Sequence, residues 1–147
     1  MSDVQDFARI GLADRGLCVL STLRPDTTIQ ASVVNAGVLD HPVSGAPVVG
    51  LVAAGGTRKL ANMRRRPRVT IVARAGWEWV AVEGDATLIG PDDPLSGMGA
   101  DELRLLLRAV FGAAGGEHDN WDEYDRIMAA ERRTVVLVAP ERVYSNQ

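Results

Sequence analysis

The sequence lacks the features that mark secreted and membrane proteins. Its single cysteine, Cys18, cannot form a disulfide within the chain, which fits the reducing cytoplasm. No apolar run approaches the roughly 18 residues that a membrane-spanning helix needs. The acidic, polar segment Met1–Asp6 does not resemble a signal peptide. The sequence therefore predicts a cytoplasmic protein with no membrane insertion.

Motifs for metal binding, nucleotide binding and nucleophilic catalysis are also missing. The two histidines, His41 and His118, are isolated, so no spacing suggests a zinc site. We find no nucleophile elbow, Walker loop or Rossmann fingerprint. A net charge of −3, a pI near 5.3 and the lack of a helix-turn-helix, zinc-finger or RNA-binding signature argue against nucleic acid as a partner.

Lysine is the scarcest charged residue, because Lys59 is the only lysine among 16 basic residues. Lysine presents a compact, mobile charge and arginine a flat fork, so the two are not interchangeable at a site. Lys59 follows Gly55, Gly56 and Thr57, which predict a loop and an N-cap before a helix over 58–66. At about 100° per residue, we expect one face to carry Arg58, Lys59, Asn62, Arg65 and Arg66, and the other to pack through Leu60 and Met63.

Three interpretations of this basic helix are open. A solvated face would keep the protein soluble, and the six basic residues between positions 58 and 68 could instead neutralise nucleic acid phosphates. The third interpretation is a small anion at the helix start, where free N–H groups and the helix dipole favour phosphate or carboxylate. The glycines and Asn62 favour the small anion, because a solvated face needs neither.

The remaining pattern predicts one domain, residues 1–147, of the mainly β (α+β) class. Apolar runs separated by turn residues favour about six antiparallel strands, and the short helices between them leave a small barrel as the expected architecture. The predicted helices span 4–14, 58–66, 101–111 and 120–130, and the predicted strands span 17–23, 29–39, 47–53, 68–74, 78–89 and 134–138.

Several segments together resemble the pyridoxamine-phosphate-oxidase-like, flavin-binding split β-barrel superfamily. Within it, the chain is most similar to the actinobacterial flavin/deazaflavin oxidoreductases (branch B) that use coenzyme F420. An arginine-rich, lysine-poor composition suits such an organism. The segments are Arg24-Pro25-Asp26, Gln30-Ala31-Ser32, Thr57-Arg58-Lys59 with Asn62, Pro67-Arg68-Val69, 79–84, 114–124, Arg132-Arg133 and Val143-Tyr144.

The resemblance implies a homodimer with a cofactor site at the subunit interface. It implies that Arg58, Lys59 and Asn62 hold the phosphate and acidic tail of the cofactor, and that Thr57 and Arg66 belong to the same site. A basic stripe through 64–68 would suit the glutamate tail of F420 better than FMN, which has one phosphate. Gln30 and Ser32 would contact the ring or ribityl chain, and Trp77 and Trp79 would lie where a partner subunit approaches the deazaflavin.

Three functions follow as hypotheses from this resemblance. The first is an F420H2-dependent reductase that transfers a hydride to an electron-poor small molecule, such as an unsaturated lactone, quinone, tetrapyrrole or nitroaromatic. The second is an FMN-binding oxidoreductase of the pyridoxamine-phosphate-oxidase type. The third is a non-catalytic F420 carrier. Tyr124 and His118 are the candidates for a dedicated proton donor.

Overall fold

The computed structural model describes residues 2–147, which form seven strands and four short helices. The observed boundaries lie within two residues of the predicted ones for every element that the sequence indicated. In chain order the elements are α1 (Val4–Ala13), β1 (Leu17–Leu23), β2 (Ile29–Asp40), β3 (Pro47–Ala53), α2 (Arg58–Arg65), β4 (Arg68–Ala75), β5 (Glu78–Ile89), α3 (Ala100–Ala113), α4 (Trp121–Ala130), β6 (Thr134–Val138) and β7 (Arg142–Ser145).

Six of the strands close into an antiparallel barrel. The strands pair in the order β4-β1-β2-β3-β6-β5, and a further β4–β5 ladder joins the two ends. The long strand β5 makes this closure possible, because its first half pairs with β4 and its last residues pair with β6. The predicted six-stranded antiparallel split barrel with short helices is therefore confirmed.

The seventh strand is the one element that the sequence did not indicate. Strand β7 pairs with β5 through Val80↔Ser145 and Glu83↔Arg142, whereas we expected a short tail after Pro140. The strand has four residues and no buried side chain, so it carries no apolar signal. Pairing with the exposed edge of β5 is what extends it.

The barrel interior is apolar and is sealed at one end by α1. Phe7 and Ile10 of α1 are fully buried, and Gly11 packs against Ala73 and Cys18. Burial raises the pKa of the Cys18 thiol to about 12, so this cysteine is a packing residue at neutral pH.

Helices α3 and α4 cover the outside of the barrel wall. A second apolar cluster joins Leu106, Leu107 and Val110 of α3 to the outward side chains of β3 and β6. The C-terminal end of α3 lies directly on β2, because a Cβ at Gly37 would stand 2.1 Å from the carbonyl oxygen of Ala113. In the part of the chain that the structure describes, no helix is long and apolar enough to cross a membrane.

The barrel wall opens along the first half of β2. Strand β2 pairs with β1 over residues 29–35, but its ladder with β3 begins only at Ala36. Between residues 29 and 35 no described strand pairs with the second edge of β2. Four residues separate the end of β3 from α2, which lies at the barrel end opposite α1. The side chain of Asn62 on this helix reaches Gln30 at the opening.

Candidate functional site

The loop before α2 has a backbone that only glycine accommodates well. Gly56 has a φ of +78°, in the left-handed region. A Cβ at Gly55 would come within 2.8 Å of Cβ and the carbonyl oxygen of Arg132, and the N–H of Gly55 donates to the carbonyl of Glu131. The two glycines therefore let the chain turn tightly against the α4–β6 connection and enter α2 at Thr57.

The N-terminus of α2 holds an unpaired hydroxyl group. Thr57 is the N-cap residue, as predicted, but its side chain makes no capping hydrogen bond. Its Oγ1 is buried and has no hydrogen-bond partner among the described residues. Leaving such a group unpaired costs on the order of 1–3 kcal/mol, so a ligand oxygen at this point would recover stability.

Positive charge is concentrated at the same helix end. Arg58 and Lys59 are the first two residues of α2, and its first turn contains no acidic residue. Two cations at the positive end of the helix dipole are unfavourable by about 0.3–1 kcal/mol each. Among the described residues no carboxylate forms an ion pair with Arg58, Lys59, Arg65 or Arg66. An anion bound here would be attracted by both the helix dipole and the side chains.

Asn62 does not share the exposed basic face that its spacing predicted. Its side chain is buried, and Nδ2 donates to Oγ1 of Thr22 and to Oε1 of Gln30, both at 3.0 Å. A short amide on the strand-facing side of α2 can reach these two acceptors, which the helical period alone does not reveal. Asn62 thus ties α2 to β1 and β2 and fixes the orientation of Gln30.

Only part of the basic stripe over 64–68 is free of carboxylate partners within the described chain. Nε and Nη2 of Arg64 donate to both carboxylate oxygens of Asp93 at 2.6–3.2 Å. Arg68 pairs with Asp85 and Glu141 at 3.3 and 2.8 Å. The exposed cations that remain on this part of α2 are Arg65 and Arg66, and Arg66 also ends the helix by donating its backbone N–H to Asn62.

Gln30 and Ser32 lie together at the opening of the barrel wall. They are opposite Thr22 and Leu20 of β1, on the core-facing side of β2, and both are half-buried. The structure therefore brings Gln30 and Asn62 into contact, and Thr57 and Lys59 precede Asn62 at the start of the same helix. Ser32 is the next residue along the same strand face.

Within one chain, Trp77 and Trp79 lie at the end of the barrel away from α2. Trp77 is at the β4–β5 turn and is 92% exposed. At about 3.3 Å per residue, it lies roughly 20 Å along the sheet from Thr70, which is opposite Ser21. Trp79 packs edge-on against Tyr144 at a centroid distance of 6.1 Å. Trp77 could therefore meet an α2 site only as part of a second subunit.

Tyr124 and His118 belong to the helical cover, away from α2. The Tyr124 hydroxyl donates to the carbonyl of Leu107, and burial raises the pKa of this phenol. His118 accepts the backbone N–H of Asn120 and contacts the rings of Phe111 and Trp121. In this structure both side chains are held by packing and local hydrogen bonds, and neither is brought together with Gln30 or Lys59.

Arg132 lies behind the loop before α2, in a position that the sequence did not predict. Arg132 has a φ of +50°, which is unusual for a residue with a Cβ, and its backbone abuts Gly55. Its guanidinium pairs with Asp92, while the neighbouring Asp93 holds Arg64. The contact joins positions 55 and 132, so no local sequence pattern reports it.

The chain matches one family model and is similar to several solved structures. The family model described as pyridoxamine 5'-phosphate oxidase matches residues 4–147. A conserved hypothetical protein from Mycobacterium tuberculosis has 19% identity and a TM-score of 0.69, over 99% of this chain and 84% of that chain.

Two further solved structures are similar at the level of the fold. One is described as an F420 reductase, with 15% identity and a TM-score of 0.61, over 88% of this chain and 90% of that chain. The other is a pyridoxamine 5'-phosphate oxidase-related, FMN-binding protein from Nostoc punctiforme, with 14% identity and a TM-score of 0.63, over 99% of this chain and 86% of that chain.

Proposed function

Because the chain belongs to the pyridoxamine 5'-phosphate oxidase family, we propose that it is an oxidoreductase that uses coenzyme F420. In this proposal the reduced cofactor supplies a hydride to an electron-poor small molecule, and the protein supplies binding, orientation and shielding from water. The family and the fold support a flavin-type cofactor. The choice of F420 rests on the charges at α2.

The start of α2 carries the proposal. Two cations, the free N–H groups of a helix N-terminus and the unpaired hydroxyl of Thr57 meet at one place with no acidic residue in the first turn. This combination is unfavourable in an empty site and favourable around a phosphate. Lys59 and Arg58 would hold the phosphate by charge-assisted hydrogen bonds, and Thr57 would donate its hydroxyl hydrogen to it.

The number of uncompensated cations favours F420 over FMN. FMN has a single phosphate, which Arg58 and Lys59 would already neutralise. Arg65 and Arg66 are further cations without an ion-pair partner among the described residues. They would be available to the glutamate tail of F420. Gln30, held by Asn62, and Ser32 would then face the ring or ribityl chain from the open edge of β2.

A homodimer is part of this proposal. The α2 site lies at an opening of the barrel wall, and the exposed outer face of β1 and β2 carries Val19 and Val33, which are 42% and 67% exposed. A second copy on this face would cover both the apolar side chains and the opening. Trp77, which is almost fully exposed, would then contact the neighbouring subunit.

A turnover assay tests the reductase function against a carrier function. The purified protein is mixed with reduced F420 and, separately, with a quinone, an unsaturated lactone, a tetrapyrrole and a nitroaromatic compound. We expect at least one acceptor to accelerate oxidation of the cofactor, with loss of the acceleration in Lys59→Ala. Binding of F420 without turnover of any acceptor would contradict the reductase function.

A further inference from the structure

A cavity of about 520 Å³ lies between α3, α4 and the loop over 90–99, on the outer side of the barrel wall. Its volume falls within the range of roughly 300–1,000 Å³ in which proteins bind drug-sized molecules. The cavity does not include any residue of α2 or of the open edge of β2. It is therefore a separate feature from the cofactor site proposed above.

The walls of the cavity are chiefly apolar and incompletely buried. Leu95, Met98, Leu103 and Met128 all line it, and all four are half-buried against the second apolar cluster. Apolar area left facing water is unfavourable at about 25 cal/mol per Å². Methionine side chains adapt to the shape of what they contact. The walls would thus stabilise the hydrocarbon part of a ligand.

The rim of the cavity carries one arginine, Arg104, whose ion pairs are long. Arg132 and Arg133 line the cavity, and they pair with Asp92 and Glu131 outside it. Arg104 donates to Asp125 at 3.5 Å and lies 3.8 Å from the exposed Asp101, and both of these carboxylates also line the cavity. The longer contact, which is to the exposed carboxylate, contributes little stability.

The nearer partner of Arg104, Asp125, is bound more closely by a second arginine, Arg108. Asp125, the carboxylate at 3.5 Å, accepts from both Nε and Nη2 of Arg108, and this pairing holds the pKa of Asp125 below its usual range. Two guanidinium groups therefore share one well-placed carboxylate. Arg104 is the more weakly paired of the two arginines, and it lies at the edge of the cavity.

We propose that this cavity binds a small amphipathic monoanion, with its hydrocarbon body against the methionines and leucines and its carboxylate on Arg104. The proposal does not depend on F420, because neither α2 nor the open edge of β2 lines the cavity. A carboxylate on the Arg104 guanidinium would form a shorter charge-assisted pair than the contacts of 3.5 and 3.8 Å that this arginine makes with Asp125 and Asp101.

Isothermal titration calorimetry with decanoate and decanol tests the ligand class. The two probes share a ten-carbon chain and differ in the charged head. We expect saturable binding of one decanoate per chain, and decanol to bind about tenfold more weakly, since one charge-assisted contact is worth about that factor. Equal binding of the two probes, or no saturable binding of decanoate, would overturn the proposal.

Two pairs of variants locate the binding. Ala129 lines the cavity and is exposed on α4, whereas its neighbour Ala130 is exposed and does not line it. Ala129→Trp should abolish decanoate binding and Ala130→Trp should leave it unchanged. Arg104→Gln should reduce decanoate binding to that of decanol, while the exposed Arg126→Gln on α4 should not. Unchanged binding in Ala129→Trp would show that decanoate binds elsewhere.

Discussion

At the scale of single residues, the account depends on cations placed where a helix disfavours them. Arg58 and Lys59 occupy the positive end of α2 without a carboxylate partner among the described residues. Cations that served only solubility would be more favourable at the other end of the helix, where they would interact well with the helix dipole. Their position is therefore evidence for an anionic ligand.

Replacement of Lys59 tests this placement. We expect Lys59→Ala to weaken F420 binding by at least about tenfold, the equivalent of one charge-assisted contact. The fold should persist, because the side chain is polar and at a helix edge. The measurement is a fluorescence titration, with Arg126→Ala on the distant helix α4 as the control. Unchanged affinity in a folded Lys59→Ala protein would remove this lysine from the site.

Thr57 gives a prediction in which stability and binding move in opposite directions. Thr57→Val removes the buried, unpaired hydroxyl and keeps the side-chain shape. We expect the free energy of unfolding of the unliganded protein to rise by about 1 kcal/mol, since the unpaired group no longer costs stability. Binding of F420 should weaken.

Thermal unfolding and F420 titration of Thr57→Val measure the two effects. The exposed Thr87→Val on β5 is the control, and it should change neither quantity much. Loss of stability in Thr57→Val, with unchanged binding, would mean that the hydroxyl already has a partner in the unliganded protein.

The sequence could predict part of the site at this scale. The loop glycines, the N-cap position of Thr57 and the basic start of α2 all follow from local pattern. The inward turn of Asn62 does not, because its acceptors Thr22 and Gln30 lie 40 and 32 residues away. Pairing of Arg64 with Asp93 is a contact of the same kind.

At the scale of elements, the register of α3 on β2 holds the helical cover in place. Gly37 is required at this contact, since a Cβ there would overlap the carbonyl of Ala113. Gly112 lies within α3, where the helix favours alanine, and a Cβ at this position would point into open space with no neighbouring atom within 4 Å.

These two glycines give opposite predictions. Gly37→Ala should lower the free energy of unfolding by about 1–3 kcal/mol, as overpacking does. Gly112→Ala should raise it by about 0.5–1 kcal/mol, because glycine is unfavourable inside a helix. Urea denaturation of both variants checks the pair. A stable Gly37→Ala protein would show that α3 can move away from β2 at little cost.

Elements with strong periodicity could be predicted, and those without it could not. In α3 the apolar residues recur at helical spacing, and every residue of β6 is buried, so each pattern fixes the position of its element. Strand β7 has no such pattern. It is formed by pairing with β5, and the sequence of residues 142–145 alone does not contain that information.

At the scale of the whole molecule, an exposed apolar face on β1 and β2 is where the second copy of the proposed dimer would bind. Leu17, Val19, Ile29 and Val33 are each at least 42% exposed on β1 and β2. Val19 and Val33 are direct cross-strand neighbours, so they form a continuous apolar area. Contiguous exposed apolar area of this kind marks interaction surfaces.

Substitution of Val33 tests the dimer. We expect light scattering coupled to size-exclusion chromatography to give a dimer for the wild-type protein and a monomer for Val33→Glu, because a buried carboxylate without a partner is strongly unfavourable. Val43→Glu is the matched control, since Val43 is similarly exposed but lies in the β2–β3 loop. A dimeric Val33→Glu protein would place the interface elsewhere.

The overall architecture could be predicted better than the assembly. Alternating apolar strands and short helices already indicate a barrel, and the resemblance of several motifs narrows it to the split form. The proposed dimer would be formed by the outer faces of β1 and β2, where apolar residues look the same in sequence as core residues. Only the closed barrel shows that Val33 points outward.

A fluorescence titration of the purified protein with F420 and, separately, with FMN distinguishes the two cofactors at the α2 site. The account predicts F420 binding at micromolar concentration or tighter and weaker binding of FMN, because Arg65 and Arg66 add to the phosphate contacts of Arg58 and Lys59. Tight binding of FMN with weak binding of F420 would contradict it, and binding of neither would contradict the cofactor site at α2 itself.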